Sequence, residues 1–182
     1  MRFLSIIFLS ILASVIYGII HDQITARICV EYFTIGHPPV FDTADPTLLA
    51  LGWGTIATWW VGLILGVLLA IAARMGSWPR LSASQLVRPL GMMLAIVGIL
   101  AAVAGLIGHY FAVRQWVVLV EPLASQIPAD KQIPFITDLW MHLASYIFGF
   151  LGGIVLCIRL VIVRWRLQKK RVSALTGSNG GT

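Results

Sequence analysis

Three of the four histidines in this 182-residue chain, His21, His109 and His142, lie at or near the ends of apolar segments. An imidazole at such a position can act as a metal ligand. His142 follows Asp138 by four residues, so the two side chains share one face if the segment is helical. A carboxylate beside an imidazole fixes its tautomer and raises its basicity. The sequence therefore suggests a metal site built from His21, His109 and His142 with a carboxylate from Asp138 or Asp22. Imidazole and carboxylate ligands together suit zinc or copper.

Three interpretations of these histidines stay open on sequence alone. In the simplest, each imidazole reaches from a helix end toward water, and Asp138 and His142 form an ordinary helix-surface pair. In the second, the histidines bind a metal ion. In the third, His21, His109 and His142 are candidate ligands of a b-type haem, because four-helix bundles hold cofactors between facing helices. The chain has no C-x-x-C-H, P-loop, H-E-x-x-H or EF-hand motif, so no motif specifies a reaction.

The elements that must position these residues are membrane-spanning helices. Hydrophobic residues make up 59% of the chain and charged residues 11%, and the mean hydropathy is +0.92. Soluble domains have about 25% charged residues, so this composition excludes a soluble enzyme. Four apolar stretches, 3–20, 47–73, 89–108 and 139–163, approach or exceed the length that a membrane helix needs. The fold class predicted is an all-α integral membrane bundle of four transmembrane helices with two ordered outer loops.

The charges divide between the two sides of this four-span arrangement. Ten basic and no acidic residues lie on one side, whereas three basic and seven acidic residues lie on the other. The positive-inside rule then predicts that both termini are cytoplasmic and that the loops 21–46 and 109–138 face outward. Because the cations flank span ends, we interpret them as anchors to anionic lipid and not as a nucleic-acid surface. Residues 1–171 are predicted to form one domain, and 172–182 a disordered cytoplasmic tail.

The two outer loops are expected to pack together as a cap over the histidines. Gly36 and the Pro38-Pro39 pair end any helix in the first loop, and Asp45 is a natural N-cap before Pro46. The second loop is long and interrupted by prolines, which is more typical of a functional or packed loop than of a simple connection. The candidate residues of a cap network are Arg27, Glu31, Arg114 and Glu121.

Small residues recur along the second span at the spacing that brings helices close together. Gly62, Gly66 and Ala70 are four residues apart, a pattern that favours tight helix packing and is also compatible with homodimers. The two cysteines, Cys29 and Cys157, fall on opposite sides of the membrane and are predicted to be free thiols.

A long stretch of the first outer loop resembles the corresponding stretch of other membrane proteins. The residues His21-Asp22-Gln23, Thr25, Arg27, Cys29 and the run from Glu31 to Pro38 resemble a group of uncharacterised bacterial four-span membrane proteins. The segments from Glu121 to Ser125 and Ser145-Tyr146 are similar too. The resemblance implies a location in the bacterial inner membrane, and it implies no activity.

Two functions follow as expectations. The first is a small accessory or structural membrane protein that binds a partner protein or lipid through its outward-facing cap, with the lipid bilayer and a possible homo-oligomer as its partners. The alternative is a membrane metal- or haem-binding redox protein or enzyme with a site around His21, His109 and His142. A transporter is disfavoured, because no ionisable residue lies near the middle of a span.

Overall fold

A computed structural model describes residues 2–178 of the chain, and these residues are helical with no strand. The helices are α1 (Arg2–Ile28), α2 (Val30–Thr34), α3 (Pro46–Ile56), α4 (Trp59–Arg74), α5 (Ala83–Val113), α6 (Leu123–Gln126) and α7 (Gln132–Ser178), with a 3-10 turn at Ala129–Lys131. Four segments are long and apolar enough to cross a membrane: α1, α3 with α4, α5, and the turn with α7. The prediction of an all-α chain with four such helices is confirmed.

The second span is interrupted where α3 ends at Ile56 and α4 begins at Trp59. The Thr58 hydroxyl donates a hydrogen bond to the backbone oxygen of Gly54, four residues earlier. Thr side chains that bond back to this carbonyl bend helices. The start of this span follows the sequence prediction, because the Asp45 carboxylate accepts hydrogen bonds from the Thr47 and Leu48 amides and Pro46 is the first helical residue.

The fourth span is much longer than the apolar stretch that predicts it. Helix α7 continues to Ser178, so the expectation of disorder from residue 172 is not met over 172–178. Extending an existing helix requires only one residue to be fixed per new hydrogen bond, and the segment after Arg164 contains good helix formers such as lysine, arginine, leucine and alanine. Residues 179–182 of the predicted tail lie outside the described part of the chain.

Close packing at glycines joins α1 to the second span. A methyl group at Gly54 would lie 2.6 Å from the backbone nitrogen of Ile19, and one at Gly62 would lie 2.7 Å from the Cα atom of Ile11. At Gly66 the corresponding distance to the Cα of Ile7 is 2.8 Å. The two backbones therefore touch along most of α1, and the predicted packing role of these glycines is confirmed.

The helices α5 and α7 form the second tightly packed pair. Met141 and Trp140 of α7 fill the spaces beside Gly105 and Gly108 of α5. An apolar core unites both pairs at the basic end of the bundle, where Ile6, Leu69, Leu86, Leu90, Leu156 and Leu160 are buried. Outside this core the helices present large apolar side chains, such as Phe8 and Phe150, which are more than two-thirds exposed. An exposed apolar belt of this kind is expected of a surface that faces lipid.

One buried arginine secures the basic end of the bundle. Arg164 of α7 is 3% exposed. Its guanidinium donates hydrogen bonds to four backbone carbonyls, those of Ala72 (2.8 Å), Met75 (2.6 Å), Trp78 (3.2 Å) and Pro79 (2.9 Å). These carbonyls belong to the end of α4 and the turn after it, where a helix leaves its last carbonyls without partners. Arg164 thus caps α4 from a different helix.

Candidate functional site

A cluster of polar side chains is buried where α1 and α7 meet beneath the cap. His21 and Asp22 come from α1, and Asp138 and His142 come from α7. All four are less than 9% exposed, and Asp138 is fully buried. Polar groups are buried in an apolar environment only at a cost, unless hydrogen bonds, ion pairs or a metal compensate. We call these four residues the His–Asp cluster.

Three members of the His–Asp cluster converge on one point. One ligand atom each from His21, Asp22 and His142 lies within 4.8 Å of the other two. The Nε2 atom of His142 is 3.4 Å from the Oδ1 atom of Asp22. The centroids of the two imidazole rings are 4.7 Å apart and the rings meet edge to face. This spacing is compatible with a single small cation held between two imidazoles and one carboxylate.

The hydrogen bonds of His142 fix which nitrogen faces Asp22. Its Nδ1 atom is 2.9 Å from the backbone oxygen of Asp138. A carbonyl only accepts hydrogen bonds, so Nδ1 carries the proton and donates it. In the neutral ring, Nε2 then has a lone pair, which points at the carboxylate of Asp22. Two acceptors 3.4 Å apart repel each other, and either a proton or a metal ion between them removes this repulsion.

Other buried atoms of the His–Asp cluster also have no partner. Within the described chain, neither His21 Nε2 nor either carboxylate oxygen of Asp138 makes a hydrogen bond. Asp138 lies close enough to Asp22 for the two carboxylates to interact electrostatically. A buried polar atom without a partner costs about 1–3 kcal/mol, so these three atoms make the cluster a place where a polar ligand would be stabilising.

Aromatic rings close the His–Asp cluster off from the cap and from the membrane. Tyr32 of α2 stacks on His142 with centroids 4.4 Å apart. Burial raises the pKa of Tyr32, so its phenol keeps its proton. The Tyr32 ring therefore covers the cluster without adding charge. On the other side Tyr17 stacks on His21 at 5.8 Å, and its hydroxyl is 2.8 Å from the Ser145 hydroxyl. The site is therefore screened from bulk water, which strengthens electrostatic interactions within it.

The fourth histidine, His37, packs among the aromatic residues around the His–Asp cluster and is not a member of the cluster. His37 lies in the loop after α2, between the rings of Phe33 and Trp53. Its Nδ1 atom is 2.8 Å from the backbone oxygen of Tyr32. Burial lowers the pKa of His37, and the hydrogen bond to Tyr32 only partly opposes this effect. His37 is therefore neutral at pH 7 and packs as an aromatic residue.

The structure changes the membership of the predicted metal site. It brings His21 and His142 together and adds Asp22, but His109 lies apart from them. His109 is exposed on α5, and its Nδ1 is 3.3 Å from the Thr137 hydroxyl. His109 is thus not in the group that the structure brings together from His21, Asp22 and His142.

The carboxylate that contacts His142 is that of Asp22 and not that of Asp138. Asp138 is the neighbour of His142, but its backbone oxygen, not its carboxylate, contacts the imidazole. Asp22 contacts His142 directly although it follows His21 in the same helix. Helix α1 is covered on several sides at this level by α2, α3 and α7, so two successive residues are both buried.

The four predicted cap residues do not form one network. Arg27 donates to Gln23 and to the Thr47 hydroxyl, Glu31 pairs with Lys131 at 3.8 Å, Arg114 lies over the Tyr110 ring, and Glu121 accepts from Ser125. Arg27 and Glu31 are four residues apart in the sequence but do not pair, because α1 ends at Ile28 and Cys29 is extended, with φ −150° and ψ 100°. The helical spacing of four residues is not kept across this break.

Cys29 itself is a packing residue at this break. It is 1% exposed, and burial raises the pKa of its thiol to about 12. Cys29 and Cys157 are both free, as the sequence predicts. A thiol with this pKa is neutral at pH 7, so Cys29 adds no negative charge to the nearby His–Asp cluster.

The ring geometry favours a bare ion over haem. A haem iron with two imidazole ligands holds them on opposite faces of a flat macrocycle. In this chain the two buried imidazoles touch edge to face, so no macrocycle fits between them. Two histidines with one aspartate match the donor sets that proteins use for zinc and for non-haem iron.

Comparisons of the chain with family models, curated proteins and solved structures find no match. The geometry of the His–Asp cluster is therefore the basis for a functional proposal.

Proposed function

We propose that this protein is a multi-pass protein of the bacterial inner membrane that binds a divalent transition-metal ion, Zn²⁺, in the His–Asp cluster. The charge partition and the positive-inside rule support cytoplasmic termini and an outward-facing cap. With this orientation, the cluster lies beneath the periplasmic cap. The resemblance of the first outer loop to bacterial four-span proteins supports the same membrane.

The observation that carries the proposal is that His142 Nε2 lies 3.4 Å from Asp22 Oδ1 while its Nδ1 lies 2.9 Å from the backbone oxygen of Asp138. A proton can remove the repulsion between Nε2 and Oδ1, but it leaves His21 Nε2 and the carboxylate of Asp138 without partners. A divalent ion would stabilise the whole cluster, because its two positive charges would balance the negative charges of the Asp22 and Asp138 carboxylates. Buried charges are tolerated in proteins when they are paired or coordinate a metal.

The donor set also indicates what the ion does. Two imidazoles and one carboxylate leave one position of a tetrahedral zinc open, as in catalytic zinc sites. Asp138 is the remaining buried acid of the cluster, and its carboxylate is not among the three ligand atoms that lie within 4.8 Å of one another. Asp138 would either serve as a fourth ligand, which would give a structural site, or stay a free acid near the ion, which would give a reactive one. The Asp138→Asn variant distinguishes these roles, because only the structural site should lose zinc.

We expect the purified protein to bind about one zinc ion per chain and the His142→Ala and Asp22→Ala variants to lose it. Replacing a residue that merely orients a ligand costs about 10–100-fold in metal affinity, so loss of a ligand should cost at least that much. Zinc titration in detergent with elemental analysis measures the effect. A parallel thermal unfolding series should show zinc raising the midpoint of the wild type but not that of His142→Ala or Asp22→Ala, since a ligand stabilises the state that binds it.

His109→Ala is the matched control, because it removes an imidazole near the same end of the bundle but outside the cluster. This variant should bind zinc like the wild type. The proposal fails if the wild type binds no stoichiometric zinc. It also fails if His109→Ala loses as much zinc as His142→Ala does.

A second candidate function rests on a different part of the cap. Between α5 and α6, the side chains of Trp116, Val118 and Val120 alternate along the chain and are 66%, 55% and 74% exposed. Exposed apolar patches on ordered surfaces mark interaction sites. We propose that this segment docks a partner membrane protein, so that the chain acts as an accessory component.

A photoreactive phenylalanine derivative placed at Val120 should crosslink in intact membranes to one protein of defined mass. The same derivative placed at Asp130, an exposed residue of the same cap, should give no such product. Val120→Asp should also abolish co-purification of the partner, because a charge replaces the apolar contact. Crosslinks to lipid alone, or a solitary monomer in every preparation, would contradict the accessory role.

A further inference from the structure

A wholly apolar groove runs along the outside of the bundle between α1 and α5. It has a volume of about 440 Å³, and its walls include Leu9, Ala13, Leu90 and Leu94. Ile16 and Val87 at its edges are about half exposed, so the groove opens on the face that a membrane-embedded bundle turns toward lipid. The groove is separate from the His–Asp cluster, and its interpretation does not depend on zinc.

Two glycines of α5 leave the groove open. A methyl group at Gly91 would meet nothing within 4 Å, and one at Gly98 would lie 3.6 Å from Cε2 of Tyr17. Tyr17 contributes its ring to the wall, but its hydroxyl pairs with the Ser145 hydroxyl instead of facing the groove. The occupant therefore finds no polar group inside, and only a hydrocarbon chain matches these walls.

The mouth of the groove at the basic end carries positive charge. Arg2 lies two helical turns before Leu9 on the same face of α1, and Arg88 follows the lining residue Val87 at the edge of the groove on α5. Both are exposed, and no carboxylate pairs with either of them within residues 2–178. A headgroup at this mouth would have to be anionic to complement the two guanidinium groups.

We infer that the groove is a binding site for an anionic phospholipid, with one acyl chain between α1 and α5 and its phosphate near Arg2 and Arg88. The apolar side chains of the groove favour an acyl chain, and the positive charges of Arg2 and Arg88 favour an anionic headgroup. In the proposed orientation this mouth lies in the cytoplasmic leaflet, where anionic lipids give the membrane surface its negative potential.

Native mass spectrometry of the detergent-purified chain tests the site with two lipids that share the same acyl chains, phosphatidylglycerol and phosphatidylcholine. We expect one phosphatidylglycerol per chain, bound more tightly than phosphatidylcholine. Arg88→Gln should weaken phosphatidylglycerol binding by about fivefold, because one basic residue near an anionic surface contributes about that much. It should leave phosphatidylcholine binding unchanged.

Gly91→Leu should weaken binding of both lipids at least tenfold, because the new side chain fills the groove without meeting a neighbour. The matched controls are Gly149→Leu, at an equally open glycine of α7, and Arg166→Gln, which removes an exposed positive charge from α7. Each control should bind both lipids like the wild type, and every variant should remain monodisperse.

Three results would overturn the inference. The first is equal affinity for the two lipids, and the second is a loss in either control as large as in its partner variant. The third is a dimer of this chain that Gly91→Leu dissociates, since the groove would then belong to a protein interface.

Discussion

Gly54→Ala is expected to destabilise the protein by about 3 kcal/mol, at the upper end of the range for overpacked cores. The added methyl group would lie 2.6 Å from the backbone nitrogen and 2.7 Å from the Cα of Ile19. Neither atom can rotate away, so α1 and α3 must separate. Because Ile19 precedes the His–Asp cluster, the same shift should also weaken zinc binding. Thermal or denaturant unfolding in detergent, followed by helical circular dichroism, measures the loss.

Gly91→Ala and Gly149→Ala are the controls, since a methyl group at either position meets nothing within 4 Å. Alanine has a higher helix propensity than glycine by about 0.8–1.0 kcal/mol, so both controls should be as stable as the wild type or more stable. If Gly54→Ala unfolds at the same midpoint as these variants, the tight contact between α1 and α3 does not exist.

Arg164→Leu is expected to have the second large effect, a loss of about 4 kcal/mol with disorder at the end of α4. Hydrogen bonds from charged donors are worth about 1.5–3 kcal/mol each, and their losses are not additive. The change leaves the carbonyls of Ala72, Met75, Trp78 and Pro79 without the guanidinium. Hydrogen exchange should rise in the turn that follows α4 before it rises elsewhere.

Arg166→Leu separates this role from a general effect of charge, because Arg166 is exposed and lies two residues away on α7. It should change stability by less than about 0.5 kcal/mol. Arg164→Lys should recover only part of the stability, because an ammonium cannot present the planar fork of donors that reaches four carbonyls. Equal losses for Arg164→Leu and Arg166→Leu would refute the capping role.

The fold follows closely from the sequence because one physical quantity, hydropathy, sets it. Long runs without charge predict the four crossing segments. The helix ends are predicted less well. Hydropathy marks where lipid contact stops, whereas a helix continues as long as its hydrogen bonds do, so α1 runs on past His21 to Ile28 and α7 runs on past Arg164. Hydrophobic periodicity does not predict the break at Thr58, where the side-chain hydroxyl bonds back to the Gly54 carbonyl.

The site is only partly predictable from the sequence. Sequence position places His21, His109 and His142 at one end of the bundle, but the rotation of each helix about its axis decides which imidazole points inward. In the structure His21 and His142 are buried, whereas His109 is exposed and contacts the Thr137 hydroxyl. The contact of Asp22 with His142 is also not predictable from helix periodicity, because α1 buries the successive residues His21 and Asp22 and so is covered on more than one face at this level.

The length of α7 has a consequence for anything fused to the C-terminal end of this chain. The residues from Arg164 to Ser178 continue the helix for about 20 Å beyond the apolar stretch, at 1.5 Å per residue. If the apolar stretch marks the edge of the bilayer, a straight continuation of this length would carry an attached cargo away from the lipid headgroups. A flexible linker of equal residue count has no fixed direction and would let the cargo approach the headgroups.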